Sequence, residues 1–447
     1  MKILLISSNI AISPYPVYPL GLSMVASALQ NAGHEVCQFD FLQQSQSMDS
    51  ISLTIQKFDP EIIGISIRNI DNVNLINEQR YIDVVKKIVQ NIRRQTAALI
   101  VLGGSGFSIM PEIIMDAVGA DYGIVGEGEA LMVKFAANAK KNQYPDKQLI
   151  RSPLTLKENR IPSADYDPHL MEFYQKSGNI ASVQTKRGCN HKCVYCSYPI
   201  LEGSAIRCRE PQSVIDDIKI LVDVHGAKYL FFIDSVFNDD HGYYLDLVRL
   251  MKKQGVNIPW TAFFKPEHID DKTIELMKQT GFKAAEIGAD ASTDITLRKL
   301  GKSFLFKDII ESNRQFVRHG IATAHFYMFG APGETRETVL EGIENIKSIK
   351  KTVSFMFMGI RILPGTPLLK TAIKEKIISE SENLLKPVYY IAQGLDKKWL
   401  EKTLNDGFSK NRHCIFPPDS LDSSLQFLHK MGYSGSMWDL LLTDKKR

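Results

Sequence analysis

The sequence predicts an α/β protein of two successive units followed by a small, mostly helical C-terminal region. The first unit reads as a Rossmann-like, flavodoxin-type doubly wound sheet, and the second as a partial (β/α)6 barrel of the TIM type. Three observations carry this. Short apolar strands alternate with amphipathic helices, the pattern of parallel sheets joined by crossover helices. Glycine-rich turns follow two strand ends, Gly103-Gly104-Ser105-Gly106 and Gly126-Glu127-Gly128-Glu129, at the sheet edge where such folds bind ligands. The length of 447 residues exceeds what one core usually organises.

In the first unit, residues 2–7 form an apolar strand and are followed by the Pro-rich loop Ser13-Pro14-Tyr15-Pro16-Val17-Tyr18-Pro19. Residues 20–32 have helical periodicity, with Leu20, Met24, Ala28 and Leu29 on one side, and Gly33 ends the run. Further strands are expected at 34–40, 61–67, 98–102 and 120–125, and helices at 77–94, 111–118 and 127–139. Residues 1–143 make this domain. Residues 144–179, with Pro145, Pro153, Pro162 and Pro168, read as a connection that wraps between domains. The second domain is assigned to 180–375, with strands at 180–186, 228–233, 260–265, 284–288, 322–329 and 355–363. Residues 376–447 form the last region, with helical patterns at 400–404 and 423–431.

Composition is that of an ordinary globular chain. A net charge of +4 demands no nucleic-acid partner, and the basic end Asp444-Lys445-Lys446-Arg447 reads as a solvated tail. No apolar run reaches membrane-spanning length. The N-terminus Met1-Lys2-Ile3-Leu4-Leu5-Ile6 reads as a strand rather than a signal peptide. Six cysteines do not make a disulfide framework at this length. Reduced thiols fit a reducing, oxygen-poor cytoplasm.

Half of those cysteines fall in one stretch, Cys189-Asn190-His191-Lys192-Cys193-Val194-Tyr195-Cys196. Thiolates are soft ligands for iron–sulfur clusters. A 4Fe–4S cluster wants four ligands and this run offers three, so one iron stays open to a small molecule. The competing reading is a zinc site. Zinc knuckles pair one CxxC with a second Cys/His pair, and none follows; His191 lies cramped inside the loop.

With Gln184-Thr185-Lys186-Arg187-Gly188 ahead of it and Tyr195 before its last cysteine, this stretch resembles the signature of the radical S-adenosylmethionine (SAM) enzymes. The resemblance implies that Cys189, Cys193 and Cys196 ligate the cluster, that SAM chelates the open iron, and that Tyr195 neighbours the adenine. It implies further SAM contacts at Asp234, which ends a strand, at Asp290 and Ser292 in Ala289-Asp290-Ala291-Ser292, and at Met328 and Gly330 beside the turn Gly330-Ala331-Pro332-Gly333-Glu334-Thr335. Asp290 stands where many relatives carry glutamate. Leu300-Gly301-Lys302-Ser303 matches the family's lysine-containing turn, and Pro364-Gly365-Thr366-Pro367-Leu368 another family run. Glu334 or Thr335 starts the next helix. Arg361, costly to bury unpaired, is a candidate for the SAM carboxylate or a substrate anion. His325 and Tyr327 could lie on either face of their strand.

The first unit looks like the cobalamin-binding domain of cobalamin-dependent radical SAM enzymes. The carriers are Pro19-Leu20-Gly21-Leu22, Asp59-Pro60-Glu61-Ile62-Ile63-Gly64-Ile65-Ser66 and the two glycine-rich turns. The implied cobalamin contacts are Pro19, Leu20, Gly21, Ser66, Arg68, Asn69, Gly103, Gly104, Ser105, Gly126, Glu127, Gly128 and Glu129. Histidine-ligating cobalamin domains carry Asp-x-His-x-x-Gly; its absence implies cobalamin held base-off, without a protein histidine. Arg68 and Asn69, directly after the third strand, either grip a corrin amide or a polar substrate, or belong only to a surface loop.

The resemblance implies methylation of an unactivated carbon of a small-molecule, lipid or peptide substrate, through methylcobalamin and a 5′-deoxyadenosyl radical. A ferredoxin- or flavodoxin-like electron donor is implied. Two other readings remain: a cyclase or ring-rearranging enzyme without methyl transfer, and a non-catalytic cobalamin or Fe–S sensor. In relatives, the C-terminal region helps cover the substrate.

Overall fold

A computed structural model describes residues 1–151 and 161–442. Pro153 of the expected connection and the basic tail 444–447 lie outside them. Six strands form the first sheet: β1 (Lys2–Ser7), β2 (Glu35–Asp40), β3 (Ile62–Ser66), β4 (Leu99–Gly103), β5 (Tyr122–Val125) and β6 (Leu149–Arg151). Their order is β2-β1-β3-β4-β5-β6, every pair parallel. This is the flavodoxin-like order, whose ligand edge lies at the carboxyl ends of the strands. β1 reads almost continuously apolar because helices cover both faces: Leu4 and Ile6 pack with the helix Ile82–Arg93, while Ile3 and Leu5 pack with the helix Gly128–Ala139.

The connection is more ordered than its prolines suggest. Residues 149–151 pair with β5 as the sheet's last strand. Residues 168–176 form a helix with Pro168 in its first turn, capped by the Asp167 carboxylate accepting from the Leu170 N–H. The helix expected at 77–94 begins only at Ile82, because Asn74 and Asn72 bind nearby backbone N–H groups and hold the preceding residues in turns. A helix at Met48–Phe58 was not anticipated, although Ser47 caps it and Ile51 and Ile55 face inward.

The second sheet contains β7 (Ala181–Val183), β10 (Leu230–Phe232), β11 (Trp260–Phe264), β12 (Phe282–Asp290), β13 (Ala322–Phe329), β14 (Val353–Met358) and β17 (Cys414–Ile415). They pair in that order and in parallel. Between them, β8 (Lys186–Arg187) pairs with β9 (Arg207–Cys208), and β15 (Ile360–Arg361) with β16 (Tyr389–Tyr390), both antiparallel. The strand expected at 355–363 is thus two strands broken at Gly359, whose φ of +73° ends the ladder.

Strand parity separates the barrel's two faces. Ala285, Ile287, Tyr327, Phe329 and Met356 belong to the main core with the surrounding helices. Ala284, Ala324, Val353 and Phe355 face inward, where they meet Leu425, Met437 and Trp438 of the C-terminal region. Of that region, the helices Asp422–Lys430 and Trp438–Leu442 plug the barrel from within rather than only covering a substrate, whereas Lys397–Phe408 packs outside, with Leu400, Leu404 and Phe408 in the main core beside the helix Arg336–Ser348. Tyr15 of the Pro-rich loop also enters the interior, beside Ile180, Tyr229 and Phe231. His325 and Tyr327 face the helices: His325 Nε2 lies 3.1 Å from Asn313 Oδ1, and burial pushes its imidazole down to about 3. Both are core residues.

Candidate active site

The cysteine loop leaves β8 at the carboxyl end of the barrel, where TIM-type folds place chemistry. Neighbouring segments fix its path. Asp234 accepts from the Thr185 N–H at 2.8 Å, the Thr185 hydroxyl at 2.5 Å and the Lys186 N–H at 3.2 Å. The Lys186 ammonium is buried against the Phe237 carbonyl (2.6 Å) and Asp239 (3.1 Å). Gly188 adopts φ +93°, and a Cβ there would lie 2.1 Å from the Ala205 carbonyl oxygen. Cys189 N donates to Gly203 O, Val194 N to Leu300 O, and Leu368 N to Val194 O. Gly301, at φ +77°, lets the Lys192 carbonyl approach to where a Cβ would sit 2.5 Å away. The GKS and PGTPL runs therefore brace the cysteine loop.

All three thiols are free, with Cys189 buried and the other two half-buried. Burial raises Cys193, and it raises Cys196 to about 12. Cys196 also feels both other thiols, which pushes it further in the same direction. Three mutually close thiols in a desolvated loop are chemically suited to a cluster, whose binding would displace their protons. Among the described residues, no three Cys, His, Asp or Glu side chains gather around the point a single metal ion would occupy.

Beside the thiols, Tyr195 donates to Asp290 at 2.5 Å, and Lys302 makes an ion pair with the same carboxylate. Asp290 ends β12 at φ +62°, where the register with β13 shifts. Burial opposes the charge on Lys302, but Asp290 and Cys193 override it and hold the ammonium above its usual range. Lys302 also lies 5.6 Å from the Tyr195 ring centre. Met328 is half-buried on the neighbouring strand β13, and Gly330, at φ +100°, packs its backbone on Ile391. Tyr195, Asp290, Met328 and Gly330 thus cluster at the mouth. Lys302 joins them, a site residue that sequence reasoning misses; its signal is the lysine in the turn Leu300-Gly301-Lys302-Ser303, which faces the cysteine loop.

Other expected residues are occupied elsewhere. Asp234 spends both oxygens on Thr185 and Lys186. Ser292 turns toward the helix Arg336–Ser348, its hydroxyl 2.5 Å from where a Gly342 Cβ would be. Arg361 is 5% exposed; it pairs with Asp71 at 2.9 Å and donates to the carbonyls of Ile362 and Leu384. It ties the β3 loop to the barrel, which is why a buried cation is tolerated there. Glu334 accepts from Gly330 N and Ala331 N, and Thr335 caps the helix that follows.

The first sheet's carboxyl edge faces this mouth. Gly104 and Gly106 are small for the chain's own sake: a Cβ would lie 2.6 and 3.0 Å from the Ile67 carbonyl oxygen. Ser105 donates to the Arg68 carbonyl at 2.8 Å. Nothing lies within 4 Å of a Cβ at Gly21 or Gly126, so both border open space; Gly128 packs on Val25 at 3.2 Å. Pro19 and Leu20 begin the helix Leu20–Asn31, and Ser66 ends β3, with Asn69 half-buried in the loop beyond. Glu127 and Glu129 point across the domain boundary instead. Glu129 pairs with Arg187 at 2.6 Å, and Glu127 with Arg207 at 2.7 Å and Arg187 at 3.4 Å. Arg68 is exposed to solvent, yet protein surrounds it. Its neighbouring titratable groups are the phenols of Tyr198, Tyr174, Tyr15 and Tyr81, and desolvation lowers its pKa. It faces the cleft between the domains.

Comparisons with known proteins agree with this architecture. Residues 7–136 match the B12 binding domain family, and residues 183–346 the Radical SAM superfamily. An uncharacterized methyltransferase of Pyrococcus horikoshii is 27% identical over 375 residues, 80% of this chain and 79% of that protein. A tryptophan 2-C-methyltransferase of Streptomyces laurentii is 24% identical over 439 residues, covering 80% and 73%. The radical SAM methyltransferase TsrM of Kitasatospora setae, solved with cobalamin and a 4Fe–4S cluster bound, shares the fold at TM-score 0.86 with 22% identity, covering 99% of this chain and 97% of that one. The cobalamin-dependent radical SAM enzyme OxsB matches at TM-score 0.71 and 15% identity, over 90% of this chain and 65% of its own. Two domains in this order define a radical SAM enzyme with a B12-binding partner domain. The chain thus combines a B12 binding domain with a radical SAM domain, and the relatives it resembles include methyltransferases. No helix among the described residues is long and apolar enough to cross a membrane.

Proposed function

We propose that this enzyme methylates a carbon atom of a small molecule. The observation that carries the reading is the shared cleft. The carboxyl edge of the first sheet and the mouth of the barrel face each other, locked by Glu127 and Glu129 on Arg187 and Arg207 and by Asp71 on Arg361. Methyl donor and cluster must meet at one substrate, and this arrangement supports that.

In this reading, Cys189, Cys193 and Cys196 hold the cluster, and Tyr195, Asp290, Met328 and Gly330 border the SAM it binds. Pro19, Leu20, Gly21, Ser66, Arg68, Asn69 and the turns at 103–105 and 126–128 border the corrin. These groups supply a transferable methyl and a low-potential electron; the protein supplies orientation and a dry site. Tyr195, Lys302 and Asp290 keep their charges compensated beside the thiols. The domain's single histidine in residues 1–151, His34, precedes β2 at the opposite edge from the cleft, which supports base-off binding without a protein ligand. A ferredoxin- or flavodoxin-like donor would deliver the electron.

The test is anaerobic incubation of cluster- and cobalamin-loaded protein with methyl-labelled SAM and candidate acceptors. Label on the corrin and then on product carbon supports the reading. Release of 5′-deoxyadenosine with an unlabelled corrin supports a cyclase or rearrangement instead.

A further inference from the structure

Within the cysteine loop, Tyr195 turns to Asp290 and the cleft, whereas Lys192, between the first two cysteines, is exposed to solvent. Two helices flank this exposed stretch. Val194 N donates to Leu300 O, and Leu368 N to Val194 O. The end of the helix Asp294–Lys299 and the start of the helix Pro367–Lys374 therefore lie on either side of residue 194. Both present cations. Arg298 and Lys299 are exposed on the first helix, and Lys370 and Lys374 on the second, one turn apart on a shared face. Lys299 lies along the turn that follows β13, its Cγ 3.3 Å from where a Gly333 Cβ would be. Ile295, one turn before Lys299 on the same face, is 50% exposed.

The charge on this face is left uncompensated. Among the described residues, the ammonium groups of Lys192, Lys299, Lys370 and Lys374 make no ion pair or hydrogen bond, and Arg298 has only Asp294 at 4.0 Å. The acids nearby are engaged elsewhere. Glu375 accepts from the Tyr390 hydroxyl at 2.6 Å, and Glu337 has Arg336 beside it. On the other side of the loop, Asp240 and Glu267 both pair with the buried Lys265. By contrast, Lys176, Lys278, Lys347 and Lys402 on other helices each have an acid about one turn away.

We infer that this face, formed by Lys192, Arg298, Lys299, Lys370 and Lys374 around Ile295, docks a small acidic electron-carrying protein. The inference deepens the proposed function and rests on it, because that reading needs a reduced cluster in this loop. One electron leaves the reduced centre of the carrier, which is oxidised, and enters the cluster, which is reduced by one; no bond is made or broken. Electron transfer weakens steeply with distance. In the proposed function the cleft side of the loop is taken by SAM and substrate, so the solvent side is the approach left to a protein. A carrier touching Lys192 comes close to Cys189 and Cys193, its neighbours in the loop. Redox encounters bury little surface, and opposite charge steers them and sets their orientation. An open cationic face with one exposed apolar residue fits a partner of that kind.

The experiment mixes reduced flavodoxin, an acidic carrier, anaerobically with cluster- and cobalamin-loaded protein. Rapid-freeze electron paramagnetic resonance follows the reduced cluster. Three proteins are compared: wild type, the double reversal Lys299→Glu with Lys370→Glu, and the remote double reversal Lys252→Glu with Lys253→Glu. The remote pair is exposed at the end of the helix Tyr243–Lys253, away from the barrel mouth, and changes net charge by the same amount. Reduced methyl viologen, a small cation, is the control reductant. The expected result is a loss of about tenfold or more in the second-order rate constant with flavodoxin for Lys299→Glu with Lys370→Glu at low salt. The loss shrinks as salt rises, viologen reduces all three proteins equally, and the remote reversal stays close to wild type. Equal rates for wild type and the first reversal, an equal loss in the remote reversal, or a parallel loss with viologen would overturn the inference. So would wild type that flavodoxin does not reduce, or a short RNA duplex whose binding is lost on the reversal while reduction by flavodoxin is untouched. Failure of the reading beneath shows differently: protein that never acquires the visible absorbance of a cluster fails before any carrier is added, and the inference falls with it.

Discussion

Replacing Glu129 by alanine tests how firmly the first domain grips the cysteine loop. Glu129 and Arg187 are buried, with side chains 7% and 8% exposed, and their 2.6 Å contact joins the β5 turn to the residue two before Cys189. Exposed ion pairs contribute about 0–1 kcal/mol. Removing one partner of a buried pair costs about 3–5 kcal/mol, because the other charge stays desolvated. Arg187 keeps Glu127 at 3.4 Å, which places the cost at the lower end, about 3 kcal/mol. At 1.36 kcal/mol per factor of ten, local opening becomes roughly 150-fold more frequent. Native-state hydrogen exchange reads this directly: amides of 126–132 and 187–196 should lose that much protection, while the helix Ile82–Arg93 keeps its own. A loss below about fivefold would show that the pair behaves as a surface contact, and would refute the account of a locked cleft.

Gly301→Ala must adopt φ +77° and displace the Lys192 carbonyl from 2.5 Å; left-handed backbone alone costs roughly 1–2 kcal/mol, and reconstituted iron per chain should fall while bound cobalamin is unchanged. Single alanine replacements of Cys189, Cys193 or Cys196 should abolish the cluster's visible absorbance and leave cobalamin uptake intact. Trp438→Ala removes a residue 3% exposed in the barrel plug and should cost about 3–5 kcal/mol, read as a lower thermal midpoint. Burial raises Glu334 from 4.5 to about 7. The folded state therefore binds the proton more tightly, so its stabilising share is full below about pH 4.5 and is lost as pH rises toward 7. Thermal midpoints of Glu334→Gln should decline less over that window than those of wild type.

Most strands were legible because apolar runs of four or more residues between turns leave few alternatives. β1 and β13 match their expected bounds. β6 and β17, of three and two residues, carry too little periodicity to be seen, and they are defined by pairing with distant strands. The cysteine loop was legible from spacing alone. The fates of Glu127, Glu129 and Arg361 were not, because their partners lie 58 or more residues away in the sequence. The same holds for the glycines: Gly104 and Gly106 look like ligand-cradling residues, whereas the group that needs their missing side chains is the chain's own β3 loop.

The most direct test of the central claim, that both cofactors act on one cleft, follows the label from methyl-labelled SAM in anaerobically loaded protein. The account predicts about one cobalamin per chain and transfer of label to its cobalt, with that transfer lost in Arg68→Ala or in Tyr195→Ala. Protein that binds its cluster but no cobalamin, or whose bound cobalamin never acquires label, would contradict it.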